Sequence, residues 1–520
     1  MKSHALFVGL GIFLSRIAGL VRERVFAHFF GNSDAGDAFK AALKIPNFLQ
    51  NLFGEGVLSA SFIPVYAQLL AKKHDEEAAK VASVIGSLLF LLTSFLVLLG
   101  VFATPFLIDL IAPGFSGEKR ALTIQIVQIL FPGTGFLVMS AWCLGILNSH
   151  RRFFLSYVAP VVWNLAIIVS LVAFGFKQGQ FDLAITVAWG LMIGSFLQFA
   201  VQLPSALKLG RKIYPSLNLK MAEVRTVLKN FVPVVTSRGV VQIVAYIDNI
   251  FASLLPTGAV SALAYAQTLY LLPISLFGMS VSAAELPMMS QATGTDHEIK
   301  EYLRERLNRG LAQIAFFIVP SVVGFFFLGN YIVGALFQTG EFKADNTRYV
   351  WMVLAGYTVG LLASTLGRLY SSTFYSLKDT KTPLKFAIVR VVFATLLSVL
   401  LTFVVPKQWD LDFQWATVGL TLAGGIAGWI EFYFLRQALN KKIGKTGLNI
   451  QFQGKLWGIA AVSAGLAAVV GHGILNEQLH IIVQAIIVLG VYGVSYFALG
   501  YFAKVEQAHS FISKIVRRIK

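Results

Sequence analysis

Apolar segments of about 20 residues or more recur along the whole chain, and this recurrence limits the fold more than any motif. The predicted spans are 5–30, 36–70, 81–111, 121–147, 153–175, 182–207, 224–254, 258–290, 305–328, 347–376, 383–404, 413–435, 456–474 and 479–502. The chain is 56% hydrophobic and 13% charged, with a mean hydropathy of +0.72. A soluble domain carries about 25% charged residues, so lipid is the natural solvent here. The expected fold is an all-α polytopic membrane protein of about 14 transmembrane helices. Gly and Pro predict interruptions at Gly54-Glu55-Gly56, Phe131-Pro132-Gly133, Pro273 and Gly424-Gly425. Broken helices survive in a bilayer only where protein or a cavity satisfies the freed backbone.

The loops fix an orientation. One side gathers the N-terminus, Lys72, Lys73, Lys80, Arg151, Arg152, Lys208 to Lys229, Lys300 to Arg309, Lys378 to Lys385, Arg436 to Lys455 and the tail. That is roughly 29 cations against roughly 6 on the other side, a bias that sets both termini in the cytoplasm. It accounts for most of the net charge of +18 without nucleic acid. The first apolar stretch, with Arg16, Arg22 and Arg24, reads as a retained helix and not a cleaved signal. Asp296 to Arg309 reads as a surface helix. The tail 504–520 is basic and amphipathic, suited to an anionic leaflet.

The first half recurs in the second. Ser15-Arg16 matches Ser237-Arg238 and Phe53-Gly54 matches Phe277-Gly278. Ser59-Ala60-Ser61-Phe62-Ile63-Pro64 likewise matches Ser282-Ala283-Ala284-Glu285-Leu286-Pro287, and Leu147-Asn148-Ser149 matches Phe374-Tyr375-Ser376. Six spans separate the copies, so they share an orientation, as in transporters built from parallel repeats. Two pseudo-symmetric six-helix lobes follow, 1–215 and 216–445, with two further helices in 446–503.

Several charges fall within spans: Arg16, Arg22, Glu23, Arg24, Asp37, Lys40, Lys44, Glu55, Arg238, Asp248, Glu285, Arg368, Arg390 and Glu431. A charge at mid-bilayer costs on the order of 3 kcal/mol or more, so such groups face a cavity or a partner. Asp37, Lys40, Lys44, Asn51 and Glu55 are spaced as one helical stripe. With Arg16, Arg22 and Arg24 they predict a cationic patch for phosphate, since guanidinium forks match phosphate oxygens. Internal pairing, such as Arg16 with Glu23 or Lys40 with Asp37, is the competing reading, and Arg22 and Arg24 could simply snorkel. Asp248 and Arg390 suggest either a buried pair or an ion site.

No metal site is expected. The one cysteine, Cys143, allows no disulfide within the chain. P-loop, HExxH, GxSxG and nucleotide-binding motifs are missing from the sequence, so neither catalysis nor an ATP-driven engine is expected, and no cofactor. Energy would come from the membrane potential, a cation gradient or downhill flow.

Ser15 to Glu23, Gly36-Asp37-Ala38-Phe39, Lys44-Ile45-Pro46-Asn47, Gly54-Glu55-Gly56 and Ala60 to Pro64 together resemble the MurJ/MviN signature. So do Ala112-Pro113-Gly114-Phe115, Gly145-Ile146-Leu147-Asn148 and Phe374 to Pro383. The resemblance implies a member of the multidrug/oligosaccharidyl-lipid/polysaccharide exporter superfamily that flips lipid II across a bacterial inner membrane by alternating access. It implies a cationic cavity, a lipid-tail groove at the last two spans, and cell-wall synthesis proteins as partners. Arg16 and Arg22 match basic residues of the family's first helix, Asp37 an important acid, and Arg368 a Lys or Arg. The chain departs at Gln50-Asn51 and at Thr268, where many members carry arginine; Lys40, Lys44 and Arg238 are the expected substitutes. An exporter of another polyprenyl-diphosphate-linked oligosaccharide and a non-transporting envelope scaffold are the alternatives.

Overall fold

A computed structural model describes residues 2–210, 213–474 and 479–519; side chains at 2–10, 12, 55, 232–234, 236–245, 413, 472, 474 and 514–519 lie outside the described set. Each expected span falls on helix, and among the described residues there is no β-strand, only an isolated bridge between Thr339 and Phe342. Eleven helical segments among the described residues are long and apolar enough to cross a membrane. The expected spans at 5–30 and 224–254 are helical too, but each includes undescribed side chains. The expected span at 36–70 is cut into three.

Two compact units form, one of residues 1–261 with 339–342, the other of 262–338 with 343–520. The first unit contains α1 (Lys2–Phe30), α2 (Asp34–Ala42), α3 (Lys44–Phe53), α4 (Glu55–Ala71), α5 (Asp75–Ile111), α6 (Gly117–Ser149), α7 (Phe153–Phe174), α8 (Gln180–Gly210) and α9 (Ala222–Ser253). Its core joins α4, α5 and α6 through Phe62, Tyr66, Val81, Ile85, Trp142 and Ile146. The Trp142 indole N–H donates to the Ala82 carbonyl at 3.1 Å, which satisfies a polar atom that lipid could not. Residues 339–342 join this unit because the Glu341 N–H donates to the His28 carbonyl at the end of α1.

The second unit contains most of α10 (Ala259–Pro273), then α11 (Ser280–Ser290), α12 (Asp296–Phe327), α13 (Gly329–Phe337), α14 (Ala344–Ser376), α15 (Lys381–Val399), α16 (Val405–Gln408), α17 (Phe413–Ile443), α18 (Ile450–Val469), α19 (Ile481–Phe502) and α20 (Glu506–Ile519). Pro320 inside α12 has no N–H to offer the Phe316 carbonyl four residues back. The Tyr496 hydroxyl of α19 donates to that carbonyl at 2.7 Å, and Tyr492 donates to the Pro320 carbonyl at 2.7 Å. Phe511 of α20 stacks on Phe497.

The expected interruptions are only partly realised. The chain breaks at Gly54, and a π-helical segment, Ile274–Met279, follows Pro273. Pro132 instead lies within the unbroken α6, and Gly424-Gly425 within the unbroken α17. There glycine serves helix contact: a Cβ on Gly360 of α14 would lie 2.5 Å from the Gly425 Cα. Asp296 to Arg309 is likewise no separate surface helix. It forms the first turns of α12, started by a Thr295–Glu298 capping box.

The repeat is visible in the backbone. After α6, Arg151 takes a left-handed φ of 61°, its N–H bonds to Asn148 O, and the Arg152 N–H bonds to Leu147 O. After α14, Lys378 takes φ 59°, its N–H bonds to Tyr375 O, and the Asp379 N–H bonds to Phe374 O. One turn is thus built twice at matching places in the sequence.

Candidate functional site

The predicted stripe does not lie on one helix. Pro46 lacks the N–H that would bond to Ala42, and the chain turns at Leu43 between α2 and α3. At Gly54 the backbone leaves the helical region, and a Cβ there would meet the Gln50 carbonyl oxygen at 2.2 Å. Asp37 and Lys40 share α2 but reach different partners, while Lys44 and Asn51 lie beyond the turn on α3. Asn51 is exposed. The Glu55 and Arg238 side chains lie outside the described residues.

Asp37 is 1% exposed and sits near the start of α2, which Ser33 caps by accepting the Gly36 N–H at 3.2 Å. Its carboxylate accepts the Gly258 N–H at 2.7 Å and the Ser261 N–H at 2.8 Å. Those are free donors of the first turn of α10, where an anion is favoured by both unmet N–H groups and the helix dipole. Lys119, in the first turn of α6, reaches Asp37 and Asp34, each at 2.9 Å. Thr257 also donates to Asp34 at 2.7 Å. Gly258 has φ 93°, and a Cβ there would press on Asn32 at 3.0 Å. Three chain segments therefore meet on one carboxylate. Asp37 does not pair with Lys40.

Lys40 instead turns to Glu23 on α1, which also holds Arg22 at 2.6 Å. Lys40 and Glu23 are both buried. The Arg22 guanidinium lies over the Trp163 ring of α7, 4.9 Å from its centre, and the Lys40 ammonium over Phe26 at 4.3 Å. Two cations share one carboxylate, so the cluster keeps one net positive charge. Lys40, expected to stand in for a phosphate-binding arginine, has its ammonium held by the Glu23 carboxylate. Arg16 does not join Glu23. It is exposed, one face along α1 from Phe13 and Ile17, which are also exposed. Arg24 is half-buried.

Lys44 is half-buried and feels the Asp248 carboxylate of α9. Next to Asp248 on the chain, the Tyr246 hydroxyl donates to the Lys44 carbonyl at 2.7 Å. Arg390 pairs with Glu431 of α17 at 3.0 Å. Arg390 thus has a carboxylate partner, Glu431, within the second unit, while Asp248 acts on Lys44 within the first. Arg368 is exposed on α14. Where many members of the resembled family carry arginine, Gln50 is half-buried and the Thr268 hydroxyl donates to the Ala264 carbonyl at 2.9 Å.

Sequence reasoning missed Lys119, Trp163 and the α10 N-terminus. Lys119 is one of the roughly six loop cations on the sparsely charged side, where nothing in the sequence sets it apart. The one hint was the unusual pairing of Asp34 and Asp37 across a helical turn from each other.

The comparisons with known proteins decide the family. A family model described as "Lipid II flippase MurJ" matches residues 26–491. The chain belongs to the MurJ family. A relative from Bdellovibrio bacteriovorus, "Probable lipid II flippase MurJ", is 31% identical over 99% of this chain and 96% of its own. One from Buchnera aphidicola subsp. Schizaphis graminum, of the same name, is 32% identical over 84% of this chain and 82% of its own. The structure titled "Lipid II flippase MurJ, inward closed conformation" superposes with a TM-score of 0.78 at 27% identity, covering 96% of this chain and 99% of that one. An inward-facing multidrug-resistance transporter of the MATE family shares the fold, with a TM-score of 0.66 at 18% identity over 82% of this chain and 95% of its own. This MurJ-family chain is a multi-pass helical membrane protein of the transporter class that these structures share.

Proposed function

We propose that this chain moves lipid II from the cytoplasmic to the periplasmic leaflet of a bacterial inner membrane, with both termini cytoplasmic, and that it does so without catalysing a covalent step. The curated relatives carry the name of that activity across most of their length, which favours lipid II over another polyprenyl-linked oligosaccharide. The observation that carries the chemistry is the first helix: exposed Arg16 lies two turns from the net-positive Arg22–Glu23–Lys40 cluster. A diphosphate cannot cross hydrocarbon unaided, and fixed cations at bilayer depth lower that barrier. Arg16 is the group free to meet the phosphates, with Arg22 and Lys44 supporting the field. The sequence repeat divides the transporter into 1–215 and 216–445, a division distinct from the compact units of 1–261 with 339–342 and 262–338 with 343–520, and 446–503 takes the lipid tail.

Alternating access needs an end that closes and reopens. Asp37 supplies a latch at the end of the first unit that the loop charges place toward the periplasm. The latch holds when Asp37 caps α10 and Lys119 clamps both acids. Its release frees residues 258–261 from α2. The driving force is the membrane potential or a cation gradient, with no bound cofactor.

The decisive experiment is depletion of this protein followed by leaflet-resolved assay of lipid-linked intermediates. Lipid II should accumulate on the cytoplasmic side, and complementation with Arg16→Gln should fail although the variant reaches the membrane. Normal delivery of lipid II to the outer leaflet without this protein or any substitute flippase overturns the assignment.

A further inference from the structure

The loop cations that set the orientation are not spread evenly. Arg151 and Arg152, in the turn between α6 and α7, and Lys208 near the end of α8 line one cavity of about 1060 Å³ within the first unit. Tyr66 and His150 form one wall, 3.1 Å apart from Oη to Nε2. Phe153, Phe154 and Leu155, on the first turn of α7, make an apolar wall.

The charge of this cavity is unbalanced. The side chains of Arg151, Arg152 and Lys208 are exposed, and among the described residues none of the three makes an ion pair. Asp75 is the one carboxylate of the lining, so three fixed cations face a single anion before His150 is counted. A concave site lined by one sign of charge focuses its field and concentrates counter-ions. Basic pockets between transmembrane helices at the cytoplasmic side are the form that lipid-headgroup sites take. The repeat supplies an internal control. In the matching turn after α14, Asp379 stands where Arg152 stands after α6, and it is bound by Lys442. The same turn is neutralised in one unit and left cationic in the other.

We propose that this cavity binds the phosphate of a lipid in the cytoplasmic leaflet. Arg151 and Arg152 grip the phosphate with guanidinium forks, Lys208 adds a point charge, and the Phe153–Leu155 wall takes the first carbons beyond it. A free phosphate would leave most of the space unfilled, since cavities of about 300–1,000 Å³ accommodate much larger ligands. The phosphate comes from an anionic phospholipid or from a polyprenyl diphosphate. None of these residues belongs to the translocation site proposed above. The leaflet rests on the orientation proposed there; the binding of lipid phosphate does not.

Native mass spectrometry of the full chain in detergent tests this, with phosphatidylglycerol, a polyprenyl diphosphate and phosphatidylcholine as separate probes. Wild type should retain one or both anionic lipids in preference to zwitterionic phosphatidylcholine, whose phosphate is offset by its own choline cation. The triple variant Arg151→Gln, Arg152→Gln, Lys208→Gln should lose about tenfold or more in apparent affinity. Loss confined to phosphatidylglycerol assigns the site to bulk lipid, and loss confined to the diphosphate assigns it to capture of that lipid. Should the triple variant fail to fold, Arg152→Gln alone should weaken binding and Asp75→Asn should tighten it. Wild-type retention of both lipids by the charge-removed variants, or equal retention of phosphatidylcholine, overturns the proposal. Cysteine labelling that places this turn outside the cell would move the leaflet and overturn the orientation, while leaving the binding result standing.

Discussion

Residues 34–71 and residues 259–290 are the same stretch of the repeat, read about 222 residues apart. Both depart from regular α-helix at the matched Phe-Gly: the first at Gly54, the second in the π-helical segment Ile274–Met279. Their chemistry differs. The first carries Asp37, Lys40 and Lys44 before its break, whereas the second has no charged residue from Ala259 to Ala284. Its first acid, Glu285, comes after the break and pairs with Arg306 at 2.7 Å. The shared break is thus a requirement of the architecture, and the charge is a requirement of one copy alone. Duplication has separated what the helix needs in order to bend from what the site needs in order to work.

If that separation is right, removing a carboxylate should cost far more in the first copy. Glu23→Leu strips a buried lysine and an arginine of their shared partner and should cost on the order of 3–5 kcal/mol. Thermal unfolding in detergent checks this, and the double variant Glu23→Leu with Lys40→Met should recover much of the loss. Glu285→Leu leaves only Arg306, which is better placed to reach water, and should cost less. Equal losses would erase the contrast between the copies.

Asp37→Asn comes next. It removes the charge that two backbone N–H groups and Lys119 share and should weaken the latch by about 2–3 kcal/mol. The readout is a cysteine placed at Thr257, which should react several-fold faster with a membrane-impermeant maleimide. Unchanged labelling would mean that capping of α10 does not hold this end shut.

The spans, the charge asymmetry and the repeat were legible because each is a one-dimensional property. Hydropathy, loop charge and self-similarity need no knowledge of packing. The stripe from Asp37 to Glu55 was not legible as a site, because helical spacing carries information only while the helix continues, and the turns at Leu43 and Gly54 end it. Glu23 with Lys40, and Lys119 with Asp37, are contacts set by how α1, α2 and α6 pack. The sequence named three of those four partners in kind, Glu23, Lys40 and Asp37, as charges costly in lipid, but could not pair them. Pro132 and Gly424-Gly425 looked like breaks for a related reason: composition does not say whether a small residue bends its own helix or admits a neighbour.

The two breaks themselves can be compared by adding one methyl group to each. In Gly54→Ala the new Cβ meets a backbone oxygen, that of Gln50, which cannot move without reshaping α3. In Gly278→Ala it meets the Cγ2 of Thr365 at 2.5 Å, a side-chain atom with some freedom to yield. Both should fall within about 1–3 kcal/mol, with Gly54→Ala the costlier. Transport should suffer more from Gly54→Ala, since that break positions α3 and α4 relative to the charged α2. The reverse order would locate the functional hinge in the apolar copy.

The smallest effect concerns the duplicated turn. The Lys442 ammonium and the Thr382 N–H and hydroxyl all donate to Asp379 and hold its carboxyl well below the usual carboxylate range. A depressed folded-state value means that the stabilisation is fully present above the unfolded value of about 3.9 and is lost as pH falls below it. Melting temperatures of wild type and Asp379→Asn should therefore differ at neutral pH and converge as the pH drops below about 4. The matching turn carries Arg152 in place of the carboxylate, so Arg152→Gln should shift the melting temperature by the same small amount at both ends of the scan. A convergence for Arg152→Gln as well would show that acid acts on some carboxylate common to both turns, and the two copies would then be less independent than their charges imply.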